Sequence, residues 1–137
     1  MTKSELRITE VLDKMRECIS KGRLTFSMDE KERLKNTRFL RQYLVSQEAR
    51  VDMLKSLTFK NFAQEELDRY ESKPKEKYYP NMYIFKLEKD LKERLTRKNK
   101  RVEIYIKIQF IKFNDKEDGT LTISFHEAER PLKYMFN

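Results

Sequence analysis

Three side chains in the second half of the chain combine proton-transfer and anion-binding chemistry: Tyr105, Lys107 and the single histidine, His126. Tyr105 and Lys107 are two residues apart, and residues at that spacing on a strand share a face. The segment "RVEIYIKIQFIKF" has the required alternation, with Val102, Ile104, Ile106, Ile108 and Phe110 on one side and Glu103, Tyr105, Lys107 and Gln109 on the other. The segment "TLTISFH" repeats it: Leu121, Ile123 and Phe125 point one way and Thr122, Ser124 and His126 the other. With "NDKEDG" between them, the two predict an antiparallel hairpin whose apolar face lies on helices and whose face from Tyr105 to Gln109 meets solvent. An imidazole can take a proton from an attacking hydroxyl or give one to a leaving oxygen, which is what RNA cleavage through the 2′-hydroxyl requires. The same residues also suit an ordinary solvated sheet face with cross-strand packing. Alternation alone leaves the register between the two strands open.

Thirty-one Lys and Arg against 23 Asp and Glu give a formal charge of +8, which favours a polyanionic partner. The basic residues Lys86, Lys89, Lys92, Arg94, Arg97, Lys98, Lys100 and Arg101 follow Tyr78, Tyr79 and Tyr83, a combination suited to backbone phosphates and base stacking. A solvated helix, charge-paired through Glu88, Asp90 and Glu93, accounts for the same run. Only Gly22 and Gly119 are present, so a glycine-rich phosphate loop is excluded, and with it kinase, P-loop and dinucleotide-binding readings. One Cys, Cys18, and one His cannot supply a structural zinc site, and no compact carboxylate motif suggests Mg²⁺. The expected site therefore uses no metal and no cofactor. Acidic residues interrupt the apolar positions of "MTKSELRITEVLDKMRECIS", which predicts neither a secretory signal nor a membrane span; the expectation is a cytoplasmic protein with no membrane partner.

The elements that must position these groups can be read along the chain. Its 137 residues fit one domain over 1–137. Leu6, Val11, Leu12, Met15, Cys18 and Ile19 follow helical spacing, Cys18 as a packing residue, and Gly22 ends that helix. "RLTF" is a short extended element. Ser27 and Glu30 form a capping-box pattern before a second helix carrying Met28, Leu34, Phe39, Leu40, Tyr43 and Leu44. Ser46 caps a third with Val51, Leu54 and Leu57. Helix is expected to reach about Tyr70 through "FKNFAQEELDRY", followed by an exposed loop over 71–81 containing Pro74 and Pro80. "MYIFKLE" is a strand, and "KDLKERLTRKNK" is either a short amphipathic helix or a basic connection. The fold class is α+β.

Taken in order, "CISKGRLTFS", "VDMLKSLTFKNF", "EIYIKIQF" and "LTISFHE" resemble the motility quorum-sensing regulator toxins, small ribonucleases of the RelE-like toxin class. The resemblance covers residues 10 to 127. It implies a RelE-like domain, a small antiparallel sheet packed against N-terminal helices, and a metal-independent endoribonuclease that cleaves single-stranded mRNA by 2′-hydroxyl attack. It also implies a cognate antitoxin as partner. The family's catalytic strand tyrosine falls on Tyr105, and its Tyr-x-Lys pattern continues in Lys107. The basic residue after Ser-Phe falls on His126, a Lys-to-His departure. The lysine of the family's Phe-Tyr-Lys-Ser turn falls near Gln64, so the positive phosphate clamp is missing unless Lys60 substitutes for it, and the loop glutamine falls close to Pro80 or Asn81. The expected RNA-binding set is Lys60, Gln64, Tyr79, Asn81, Arg97, Lys98, Lys100 and Arg101, with His126, Tyr105 and Lys107 as catalytic residues. Two other classes fit the same chain: a nucleic-acid-binding module without catalysis, and a small phage or mobile-element inhibitor that acts by binding another protein.

Overall fold

The structure, a computed structural model, describes residues 1–27, 30–68 and 77–136, with residues 30–33 described by their backbone alone. Among the described residues, three helices pack on a five-stranded open sheet. The order along the chain is α1 (Lys3–Ser20), β1 (Leu24–Phe26), α2 (Glu30–Gln42), α3 (Gln47–Ser56), a 3-10 turn (Phe59–Asn61), β2 (Phe62–Leu67), β3 (Tyr78–Lys92), β4 (Asn99–Lys112) and β5 (Asp118–Glu127). The strands lie in the order β1-β5-β4-β3-β2. β2 to β5 are antiparallel neighbours, but β1 runs parallel to β5, so the sheet is mixed rather than purely antiparallel.

Helix α1 forms where its sequence says it should. Thr2 and Glu5 close a capping box at its start, and Ile8, Leu12, Met15 and Cys18 face the sheet, each at most 2% exposed. It ends in a Schellman motif: Gly22 adopts φ 72°, its N–H donates to the Ile19 carbonyl, and the Arg23 N–H donates to the Cys18 carbonyl. Ser46 caps α3. The expected capping box at the start of α2 includes residues outside the described set; farther along, Phe39 and Tyr43 are buried, whereas Leu34 is exposed. The core joins these helical residues to Phe62, Tyr83, Phe85, Ile104, Ile106, Ile108 and Phe125.

Two stretches differ from their sequence pattern. "NFAQEEL" is not helix beyond the 3-10 turn: residues Phe62–Leu67 form β2, paired with β3. Backbone pairing to the open edge of β3 outweighs the helical preference of Gln64, Glu65 and Glu66. "KDLK" belongs to β3, and "ERLTRK" makes the turn into β4, so this segment is neither helix nor long connection. Of the loop expected over 71–81, residues 71–76 lie outside the described set, Lys77 is in a turn, and 78–81 open β3.

The hairpin of β4 and β5 is present, but strict alternation fails inside it. Ile106 pairs with Phe125 and Lys107 with Ser124, whereas Ile108 pairs with Thr122. The extra residue, Ile123, makes a bulge in β5 that exchanges the two faces. Beyond it, Thr120 and Thr122 pair with Phe110 and Ile108, and Leu121 pairs with Gln109. The expectation that Leu121, Ile123 and Phe125 share one face is thereby corrected. At the bulge, where β1 has ended, the Asn36 side chain of α2 substitutes for a neighbouring strand: its amide donates to the Ile123 carbonyl and its oxygen accepts from the Phe125 N–H.

Gln109 also departs from expectation, being fully buried rather than solvated. Two additional residues in β3 lie between the pairs Tyr78–Ile111 and Met82–Gln109. That irregularity frees the Tyr79 carbonyl, which accepts from the Gln109 amide at 2.7 Å. A side-chain amide thus repairs the ladder at each of these two breaks in regular pairing.

Asp118 ties the first helix to the sheet. Its carboxylate accepts from the Tyr79 hydroxyl at 2.9 Å and pairs with Lys14 at 2.8 Å, while its carbonyl accepts from Arg23. Burial pushes this carboxyl up, but the Lys14 and Tyr79 hydrogen bonds outweigh it and hold Asp118 below its ordinary value. A depressed folded-state value means that Asp118 stabilises the fold fully above the ordinary carboxylate range of about pH 4, and that this contribution disappears as pH falls through the folded value. Asp118→Asn should therefore be less stable than wild type at neutral pH and show a shallower loss of urea-unfolding free energy on acidification. Parallel acid profiles would remove Asp118 from this role.

Candidate functional site

The sheet face away from the helices carries the expected catalytic residues. Tyr105 on β4 is the direct cross-strand partner of His126 on β5. Their rings stack at 5.3 Å between centroids and 17° between planes. Lys107 follows on the same face, opposite Ser124. These side chains, with Gln64 and Glu66 of β2 and Lys35 of α2, line a cleft of about 440 Å³ closed on one side by Arg130, Pro131 and Leu132. The structure brings together His126, Tyr105, Lys107 and Gln64.

His126 is only 6% exposed. Its Nδ1 lies 2.9 Å from the Glu127 carbonyl, and because a carbonyl can only accept, Nδ1 is the donor in this contact. Glu127 is itself held: its carboxylate accepts from the Tyr43 hydroxyl at 2.7 Å. Burial, and then this carboxylate, push the Tyr43 phenol far above its ordinary value, so Tyr43 remains a donor. A packed aromatic residue at the end of α2 thus orders the strand end that presents the imidazole.

The cleft is basic but internally compensated. Lys107 Nζ lies 3.7 Å from Glu66, and Lys35 pairs with Glu129 at 3.3 Å. Glu66 also accepts from the Gln64 amide at 2.9 Å. Sequence reasoning missed Lys35, Glu66, Glu129 and Arg130. The alternation of Gln64 and Glu66 was the available signal for one strand face, but it sits in a helix-like composition. Residues after β5 carry no periodicity from which to infer a cleft wall.

The remaining expected RNA-binding residues lie elsewhere. Lys60 is exposed on the 3-10 turn. Tyr79 and Asn81 line a different cleft, with Arg7, Lys14, Tyr83 and Phe110. There Tyr79 is engaged by Asp118, and Lys14 Nζ lies 4.8 Å from its ring centroid; the Asn81 amide donates to Glu65. Arg97, Lys98, Lys100 and Arg101 are exposed around the β3–β4 turn. At about 3.4 Å per residue, Arg101 is four steps along β4 from Tyr105, roughly 14 Å, and the turn itself is farther. Arg101 is also paired with Asp90.

Among the described residues, no group of three or more His, Cys, Asp and Glu side chains is placed to hold a metal ion. Among them, too, no helix is long and apolar enough to cross a membrane. The stacked Tyr105–His126 pair and the neighbouring cations define a cleft with groups for proton transfer and anion binding on one sheet face. No family model, curated protein or solved structure matches the chain.

Proposed function

We propose that this protein is an endoribonuclease of the RelE-like toxin class, cleaving single-stranded mRNA by attack of the RNA's 2′-hydroxyl and restrained by a cognate antitoxin protein. The observation that supports this most is the cross-strand stack of His126 on Tyr105 with Lys107 beside it in one cleft. In this reading His126 accepts the proton of the 2′-hydroxyl or donates one to the departing 5′-oxygen. Tyr105 positions the phosphate or carries the complementary proton. Lys107 and its cationic neighbours offset the charge that develops on the phosphorane oxygens. The 2′-oxygen bonds to phosphorus as the 5′-oxygen leaves, giving a 2′,3′-cyclic phosphate and a 5′-hydroxyl.

The test is cleavage of an end-labelled single strand in EDTA. Cyclic-phosphate ends are expected, and a 2′-deoxyribose at the cleaved position should abolish the cut. Cleavage of the deoxy strand would overturn internal attack. A second reading, a nucleic-acid-binding module that does not cleave, draws on the Lys107–Glu66 and Lys35–Glu129 pairs, which already compensate cations that would act on a phosphorane. Binding without any cleavage would favour that reading.

A further inference from the structure

His126 does not sit at the blind end of one cleft. It stands between two. The first is the 440 Å³ cleft described above. The second, of about 220 Å³, lies between α2 and the end of β5, where Lys35, Arg38, Phe39, His126, Glu127 and Glu129 line it. Lys35, His126 and Glu129 belong to both. The Lys35–Glu129 ion pair, 3.3 Å long and with side chains 31% and 56% exposed, therefore borders both clefts and acts in this reading as the partition between them.

Such a partition is weak, because two partly exposed long side chains gain little from pairing in water. Along the joined path the cations are Lys107 and Arg130 in the first cleft, Lys35 at the junction and Arg38 in the second. The facing carboxylates are Glu66, paired with Lys107, Glu129, paired with Lys35, and Glu127, which is occupied by the Tyr43 hydroxyl. Glu129 is thus the carboxylate placed to compete with a phosphate for Lys35.

Resting on the ribonuclease reading, we infer that the two clefts form one track for a single RNA strand, with a second phosphate subsite at Lys35 and Arg38 of α2, and that Glu129 occupies that subsite until a phosphate displaces it. A strand on this track passes the imidazole edge with its backbone held on both sides. The β3–β4 turn is not required for that passage. Carboxylate displacement also makes binding depend on strand length, since a dinucleotide reaches the first cleft without opening the partition.

The experiment measures binding of two fully 2′-O-methylated single-stranded RNAs, a dinucleotide and a longer oligonucleotide, by wild type, Arg38→Glu and Glu129→Gln. Methylation removes the attacking hydroxyl, so binding is read without cleavage. Arg38 lies at the surface of α2, and equal melting temperatures would establish that both variants fold. Glu129→Gln should bind the longer strand about two- to fivefold more tightly, the scale of releasing one exposed ion pair. Arg38→Glu should weaken the longer strand and lower its salt dependence by about 0.7 in slope for each phosphate that the variant no longer neutralises, with the dinucleotide unchanged. If wild type binds both strands and neither variant alters the longer one, the second subsite is wrong while the ribonuclease reading stands. If wild type binds neither strand and cleaves no RNA, both fall together.

Discussion

His126→Ala is expected to lower cleavage of single-stranded RNA by about 10²-fold or more, the usual scale for losing a general acid or base, with the fold and RNA binding retained. His126 is buried but lies outside the apolar core cluster, near the end of β5, and an unchanged melting temperature checks that the variant folds. The alanine removes a ring stacked on Tyr105 but leaves the backbone pairing of the two strands in place. The measurement is a single-turnover rate in EDTA on a minimal strand, beside affinity for the 2′-O-methylated version. Wild-type cleavage by folded His126→Ala would remove the imidazole from the mechanism. A loss of affinity as large as the loss of rate would instead make His126 a binding residue.

The second large effect is on stability. Ile106 is fully buried in the central strand β4, between Phe85 on β3 and Phe125 on β5. Ile106→Asp would bury a carboxylate among three strands of apolar side chains, where nothing replaces its lost hydration. The expected cost is about 4 kcal/mol or more, at the severe end for one substitution, against the roughly 5–15 kcal/mol that holds a typical domain folded. Urea unfolding should show this as a collapse of the midpoint or as failure to fold. An unchanged midpoint would require Ile106 to face solvent and would reverse the orientation of the whole strand.

What could be read from the sequence was what regular periodicity encodes. The alternation from Val102 to Phe110 specifies a half-buried strand, and the stretch from Ser124 to His126 puts the imidazole on the face of Tyr105; the structure pairs those residues directly. The bulge at Ile123 was hidden because Thr and Ile both suit strands, so "TLTISF" reads as regular alternation although two threonines turn inward. β3 is legible only in its apolar centre. Its extension through Lys92 is mostly charged, and only Leu91, buried in the core with Val102 of β4, ties it to the apolar interior, too sparse a pattern to read as strand. The second cleft was invisible for another reason: Arg38, His126 and Glu129 come together only where α2 packs at the end of β5.

The short parallel strand β1 has a consequence for the order in which the molecule is assembled. Leu24 pairs with Thr120 and Phe26 with Thr122, partners that lie in the first and last quarters of the chain. Because β5 follows every other strand in the chain, α1 and β1 leave the ribosome long before the surface that receives them exists. Contacts of such sequence separation are slow to close, and the antiparallel run from β2 to β4 can form first from neighbouring segments. Arrival of β5 then completes three things in one event: the edge that accepts β1, the bulge bound by Asn36, and the strand end bearing His126. A truncated chain lacking β5 has neither its full sheet nor its imidazole, so the candidate activity is coupled to the docking of that strand.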